Sequence, residues 1–356
     1  MATDLLAATA RLVDIASPSH HEEALADAVQ DQLGQAPWLH TRRVGHNVVA
    51  RTESGRDRRV ILAGHLDTVP ANGNERAVLD GSVLHGLGAA DMKGGLAVML
   101  ELARSARAPR FDLTFVFYVC EEVDTRHSGL LQLEAESPEL LEGDVAILGE
   151  PTSCRVEAGC QGNLRATVRL GGVRAHTARP WMGVNAIHRC APVLDAVASW
   201  PGREPVIDGC RYREAMQVVA IEGGVANNVV PDEARLTLNH RFAPDRDADA
   251  AWSWLESTLD PLLDPEAGDA LDLVASAAAA PPGLTDPVLA ELVARTGEEA
   301  RAKLGWTDVA FFAGRGTPAT NFGPGDPTLA HTREERVDGH DLERARAILS
   351  GVLLRT

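Results

Sequence analysis

Three short apolar runs each end in a side chain able to bind metal, and this recurrence constrains the chain more than any other feature. Val60-Ile61-Leu62-Ala63-Gly64 leads directly into His65-Leu66-Asp67, the run from Phe111 to Cys120 into Glu121-Glu122, and the run from Val145 to Gly149 into Glu150. Near-continuous apolar runs of this kind read as strands buried on both faces, which have no need of alternating polar residues. Between them, Leu96, Met99, Leu100 and Ala103 share one helical face, and residues 5–16 and 22–33 also carry helical spacing. Buried strands separated by helices imply an α/β domain, with a mixed, mostly parallel sheet flanked by helices. In open sheets of this class, sites form outside the carboxyl ends of the strands. All three polar ends fall there.

The middle of the chain follows a different rhythm. Residues 164–170 alternate and run into Gly171-Gly172; residues 185–199 read as a helix, 217–222 and 234–242 as strands, 247–259 as a helix and 271–275 as a strand. Strand-helix-strand-strand-helix-strand is the ferredoxin-like order. Residues 162–275 are therefore expected to form an inserted α+β domain, within a domain built from residues 1–161 and 276–356. After Pro281-Pro282 a helix is expected over residues 288–304, a strand over 318–322 and a closing helix over 341–354. A length of 356 residues suits two domains.

Composition removes several function classes. The net charge is −17 and no basic cluster interrupts it, so nucleic acid is not an expected partner, since phosphate contacts need local Lys and Arg. No apolar run reaches transmembrane length, and the first residues read as an amphipathic helix rather than a signal peptide; no membrane association is expected. The five cysteines are odd in number and lack Cys-x-x-Cys spacing, which suits reduced thiols and a cytoplasmic location. The absence of a Gly-x-Ser-x-Gly elbow argues against a serine nucleophile.

Two further residues complete a donor set. Asp91 sits where a loop containing Gly86 and Gly88 meets the helix after Lys93, and His331 follows the turn-rich Gly323-Pro324-Gly325-Asp326-Pro327. Two imidazoles and three carboxylates suit a pair of zinc ions. In the assignment made here, Asp91 bridges, His65 and Glu150 hold one ion, and Glu122 and His331 hold the other. Asp67, two residues after His65 in extended chain, points the same way; it is placed to accept the far imidazole N–H. Glu121, next to a ligand but projecting differently, is the natural general base for water activated by the metal pair. Each element taken singly has an ordinary reading. A His-x-Asp is a polar strand end, Glu-Glu a solvated pair, His331 a surface loop residue and Glu150 a turn cap. Their coincidence at three strand ends favours the metal site over a set of unrelated polar residues.

The motifs around these residues resemble those of the di-zinc aminoacylase/carboxypeptidase superfamily. They are Gly64-His65-Leu66-Asp67-Thr68-Val69-Pro70, Ala90-Asp91-Met92-Lys93-Gly94-Gly95, Glu121-Glu122, Gly149-Glu150-Pro151-Thr152 and Ala330-His331-Thr332, with Ala175-His176-Thr177-Ala178-Arg179-Pro180 and Asn228-Val229-Val230-Pro231-Asp232 between them. They span nearly the whole chain in order. Within the superfamily, Glu157 to Gly162, Gly305 to Val309 and Asn321 to Pro327 are similar to succinyl-diaminopimelate desuccinylases of high-GC Gram-positive bacteria. The resemblance implies hydrolysis of N-succinyl-LL-2,6-diaminopimelate, with two Zn2+ per subunit, Co2+ as a substitute, and a homodimer joined through the inserted domain acting as a lid.

It also implies that His176 stabilises the tetrahedral oxyanion in the partner's site, and that Arg241 binds a substrate carboxylate. Asn228, Arg179 and Gly323 are implied substrate contacts. The chain departs from the pattern in two places: Cys160-Gln161 stands where Gram-negative desuccinylases carry a basic pair, and Asp124-Thr125-Arg126-His127 after the paired glutamates is unusual. Deacylation of another N-acyl amino acid such as N-acetylornithine, a dipeptidase or carboxypeptidase activity, and a non-enzymatic metal-binding role are the alternatives.

Overall fold

The computed structural model of the chain describes residues 4–355, which form two compact units. One comprises the residues through Gly159, Pro282–Arg301 and those from Phe311 onward; the other comprises Cys160–Pro281 and Ala302–Ala310.

The first unit is built on an eight-stranded mixed sheet. Its centre is three parallel strands: Arg59–His65 lies between Asp112–Tyr118 and Val145–Leu148. Every residue of the latter two is buried, which is why their sequence shows no alternation. Ala319–Asn321 extends the parallel part beside Val145–Leu148. The flanks are antiparallel, with Asn47–Arg51 and then His40–Val44 on one side and Glu157–Ala158 on the other. Helix Gly94–Ser105 buries nine of its twelve residues, Leu96, Val98, Met99, Leu100 and Leu102 among them. Helix Gly339–Leu353 starts where the Asp338 carboxylate accepts the His340 N–H, a cap that satisfies an orphan helix donor.

The sheet and helix Gly94–Ser105 approach closely where the strands end. A Cβ placed on Gly95 would stand 2.2 Å from the Gly149 carbonyl oxygen, and one on Gly64 would stand 2.6 Å from Met92 Cε. Only hydrogen fits at Gly95, where the neighbour is backbone, while at Gly64 a side chain would displace the Met92 methyl; both glycines let the segment after Asp91 lie close against the ends of two strands.

The second unit carries a four-stranded antiparallel sheet ordered Ala215–Gly223, Glu233–Phe242, Gly162–Gly171, Ala270–Ala277. Leu164, Ala166, Val168 and Leu170 are buried in strict alternation, so this sheet has one covered face. Leu236, Leu238, Leu255, Leu259 and Val193 share a core with three of them. With a helical segment between the first and second strands and another between the third and fourth, the arrangement is the ferredoxin-like one expected.

Several elements differ from the sequence expectation. The helix over residues 185–199 is divided into Ala186–Arg189 and Ala191–Ser199, because Pro192 has no N–H for the His188 carbonyl. The helix expected to reach residue 304 ends at Thr296. Gly297 adopts φ 71° there, a left-handed stop natural to glycine. A hairpin of His40–Val44 with Asn47–Arg51 and a small sheet of Arg336–Asp338, Val83–His85 and Val78–Asp80 were not anticipated. All five cysteines are free and buried. Among the described residues no helix is long and apolar enough to cross a membrane.

Substituting Gly95→Ala forces a methyl against a backbone carbonyl that cannot rotate away. We expect a loss of about 1–3 kcal/mol, the usual cost of overpacking, read as a lower midpoint with unchanged slope in urea unfolding.

Candidate metal centre

The first unit gathers its polar strand ends into one cluster. His65 is the last residue of its strand and is paired in register with Tyr118, so Glu121 and Glu122 emerge beside it three and four residues further on. Glu150 lies two residues past its own strand. Asp91 sits in an irregular turn over Ala89–Lys93, where Asp91 (φ −117°, ψ 93°) and Met92 (φ −133°, ψ 35°) are not helical. His331 is held in the left-handed region at φ 64°.

The donor atoms of these residues form overlapping triads. His65, Asp91 and Glu150 make one, Asp91, Glu122 and His331 a second, and His65, Glu121 and Glu122 a third, each with atoms within 4.8 Å of one another. Two donors on one zinc at ~2.0–2.2 Å are at most about 4.4 Å apart, so little adjustment closes either of the first two triads around an ion. Asp91 belongs to both. Its Oδ1 is 3.1 Å from His65 Nε2, and its Oδ2 is 3.5 Å from His331 Nε2. His331 Nε2 is also 2.8 Å from Glu122 Oε1.

Asp67 is buried beneath this cluster, and its carboxylate serves the backbone. Oδ1 accepts the Glu121 N–H at 3.0 Å, while Oδ2 accepts the Glu122 N–H at 3.0 Å and the Ser19 hydroxyl at 2.8 Å. Because the carboxylate is turned toward these amides, the nearer acceptor for His65 Nδ1–H is the Asp67 carbonyl oxygen at 3.0 Å, with Oδ1 at 3.6 Å. Either acceptor takes the Nδ1 proton, so in the neutral ring Nε2 is the bare nitrogen, directed at the cluster.

The electrostatics show what the cluster lacks. Burial opposes charging His65, yet hydrogen bonds to Asp67 and Asp91 outweigh it and hold the imidazole well above its ordinary range. Hydrogen bonds to Asp91 and Glu122 raise His331 to about 10. Burial would raise Asp67, but the hydrogen bond to His65 and the Glu121 and Glu122 amides bring it down to about 2. Asp91, likewise buried, is pushed far below the carboxylate range by His331 and His65. The carboxylates thus demand positive charge, which protons on the two histidines supply and which cations would supply better. The nitrogen and oxygen donors therefore fit divalent metal.

Other buried groups flank the cluster. The Glu335 Oε1 accepts the Ala90 and Asp91 amides at 3.1 and 3.0 Å, and burial raises this carboxyl to about 7. The Glu22 Oε1 accepts the Cys120 N–H at 3.1 Å, where Cys120 turns at φ 60° to deliver Glu121. Sequence reasoning missed Ser19, Glu22 and Glu335. No spacing marks them, because each acts on a group far away in the chain: Ser19 on the Asp67 carboxylate, Glu22 and Glu335 on backbone amides.

The remaining sequence-derived positions are distributed as follows. Gly323 is packed behind Glu150: its N–H donates to Thr152 Oγ1, its carbonyl accepts the Cys154 N–H, and a Cβ would lie 2.4 Å from the Gly149 oxygen. Its backbone groups thus serve internal packing. His176, Arg179, Asn228 and Arg241 belong to the second unit. Three of them adjoin: His176 pairs with Val229, Thr177 N–H donates to the Asn228 carbonyl, and Arg179 N–H donates to the His176 carbonyl. His176 is exposed, and its Nδ1 accepts the Ala178 N–H at 3.0 Å; in the neutral ring this puts the proton on Nε2. Arg241 is half-buried on a separate strand, with Nε donating to Asn239 Oδ1 at 3.1 Å.

Comparison with known proteins gives the family of the chain and its similarity to several relatives. Residues 61–355 match the model of peptidase family M20/M25/M40. The chain is 50% identical over 336 residues to a Mycobacterium tuberculosis protein designated DapE, covering 94% of this chain and 93% of that one. It is 45% identical over 357 residues to the succinyl-diaminopimelate desuccinylase of Corynebacterium glutamicum, covering 98% and 96%. Among solved structures, the fold is similar to that of aminopeptidase PepT from Bacillus cereus (TM-score 0.79, 18% identity, 98% and 97% covered). It is also similar to an M20 family metallo-carboxypeptidase from Sulfolobus solfataricus (TM-score 0.76, 16% identity, 99% and 98% covered).

The raised histidines carry a measurable consequence. At pH 7 the metal-free protein holds protons on His65 and His331, so loading with zinc should release about two protons per chain. Calorimetric titration in buffers of different ionisation enthalpy reads this directly, and release near zero would contradict the charge balance above. The same shifts predict that the metal-free protein loses stability as pH rises from 6.5 through about 10. A histidine raised in the folded state contributes fully below its unfolded value and nothing above its folded one.

Proposed function

The chain belongs to peptidase family M20/M25/M40, whose members are metal-dependent hydrolases, and on that premise we propose that it hydrolyses N-succinyl-LL-2,6-diaminopimelate to succinate and LL-2,6-diaminopimelate. The observation that carries this reading is the near end-to-end identity with the Corynebacterium glutamicum desuccinylase. The converging His and carboxylate donors supply chemistry to match.

We assign the site two Zn2+, replaceable by Co2+, with His65 and Glu150 on one, Glu122 and His331 on the other and Asp91 shared. Bound there, such a pair polarises the scissile carbonyl and acidifies water. Glu121 takes the proton from the attacking water and passes it to the departing amine. Asp67 keeps Glu121 and Glu122 in place through their amides and keeps His65 in the tautomer a ligand needs. His176 donates Nε2–H to the oxyanion, where a preorganised donor counts most. Arg241 receives a substrate carboxylate in its planar fork, with Asn228 and Arg179 as neighbouring contacts. In this reading residues 162–275 form a lid and dimerisation domain, His176 serves the partner's site, and the enzyme works in the cytoplasm.

Zinc-loaded protein should release succinate from N-succinyl-LL-2,6-diaminopimelate and leave N-acetylornithine largely intact. Chelation should abolish turnover and zinc restore it. Activity on the acetyl substrate alone would discard the desuccinylase and keep the metal chemistry. Glu121→Gln should retain metal and lose ~10²–10⁴ in kcat, the usual range for a general acid–base group; undiminished turnover would remove Glu121 as base.

The dimer has its own test. Glu121→Gln and His176→Ala homodimers should both be nearly inactive, whereas hybrids of the two should regain activity. One site in each hybrid joins an intact Glu121 to the partner's His176. Failure to complement would place His176 in its own subunit's site or outside catalysis.

A further inference from the structure

Glu335 lies four residues after His331, and the same short segment therefore carries a metal donor and a buried carboxylate. Backbone pairing fixes that segment. Arg336–Asp338 runs antiparallel to Val83–His85, with Arg336 opposite His85, and the Gly86 N–H donates to the Glu335 carbonyl at 3.1 Å. The pairing brings the Glu335 side chain beside the turn that follows Gly88. Only 1% of the residue is exposed, and a buried glutamate needs partners.

Its partners are two amides that regular structure leaves unused. Ala90 and Asp91 stand in the irregular turn over Ala89–Lys93, where early N–H groups have no carbonyl one turn back. Both donate to Glu335 Oε1, at 3.1 and 3.0 Å. Two bonds to consecutive amides fix both the position and the tilt of the peptide between them, and so the direction in which the Asp91 side chain leaves the backbone. That side chain reaches His65 Nε2 with one oxygen and lies 3.5 Å from His331 Nε2 with the other.

We propose that Glu335 is the positioning residue of the metal centre, holding the Ala90 and Asp91 amides so that the Asp91 carboxylate lies between His65 and His331. It touches neither metal nor substrate. Because it and His331 share one anchored segment, the second histidine and the shared carboxylate are set by a single piece of chain. The inference rests on the reading of Asp91 as the shared ligand and is independent of which acyl group the enzyme removes.

The test uses the full-length chain with Glu335→Gln and Glu335→Ala. Metal-free protein is titrated with Co2+, followed by visible absorption and calorimetry, and kcat and KM for succinate release are measured alongside. The Gln variant keeps an oxygen for both amides, so its Co2+ affinity should remain within about threefold of the parent with the same absorption bands. The Ala variant should bind Co2+ about 10–100-fold more weakly, the scale seen when a ligand's support is removed, with altered bands and a fall in kcat greater than any rise in KM. Should the Ala variant fail to fold, Glu335→Asp replaces it. Asp keeps the charge but is one methylene short of the amides, and the same weakening is expected. Parental affinity and bands in the Ala or Asp variant would overturn the proposal, as would a Gln variant as weak as they are. Since the Co2+ readout needs no substrate, a parent that binds Co2+ but leaves the succinyl substrate intact would defeat the desuccinylase reading and leave this one to be judged on its own variants.

Discussion

The Asp67 carboxylate is the contact on which the rest of the site depends. It lies under the cluster, fully withdrawn from water, and accepts the amides of Glu121 and Glu122 and the hydroxyl of Ser19. It thereby ties two pieces of chain to the end of strand Arg59–His65: the loop holding Ser19 and the turn after strand Asp112–Tyr118. The two glutamates differ by one residue, so their side chains must diverge. A fixed pair of amides sets the directions in which the two side chains leave the backbone. Without that acceptor the Glu121 and Glu122 amides would lose the carboxylate that orients the peptide between them.

The sheet explains why such a device is required. Parallel strands deliver their last residues to one edge, and the register here puts His65 opposite Tyr118, so polar side chains arrive close together. Negative charge then accumulates faster than the fold can neutralise it. The two histidines respond by holding protons far above their usual range. Carboxylates gathered this closely favour positive charge among them, which divalent cations would supply.

Much of this was legible in the sequence, for an identifiable reason. His65, Glu121, Glu122 and Glu150 stand directly after runs of buried-strand character, and strand ends are where open sheets place their chemistry. The ferredoxin-like order was legible because Gly162–Gly171 alternates cleanly. The overrun at residue 304 ignored a stop signal, Gly297, that was present to be used. The hairpin of His40–Val44 and Asn47–Arg51 was harder. Its outer strand is mostly exposed and its inner one mostly buried, so no common period runs through them, and only Gly45-His46 marks the turn. Ser19, Glu22 and Glu335 were beyond reach, because a side chain whose partner lies far away in the chain leaves no local pattern.

Glu22 and Glu335 share one physical logic with Asp67. Each reaches a loop that delivers a donor: Glu22 takes the Cys120 amide, Asp67 the next two, and Glu335 those of Ala90 and Asp91. A backbone carbonyl could satisfy the same groups, yet it would have to arrive as part of another strand or turn, and the space around the cluster is occupied. A side chain brings the acceptor alone. The left-handed turn at Cys120 and the one at His331 each cost roughly 1–3 kcal/mol when a non-glycine residue adopts them, and such turns persist only where surrounding contacts over-determine them. Buried acceptors on the amides next to Glu121 and Asp91 provide that over-determination without adding bulk. The donors therefore stay aligned although every one of them stands on irregular chain or at the last residue of a strand, where regular hydrogen bonding has already ended.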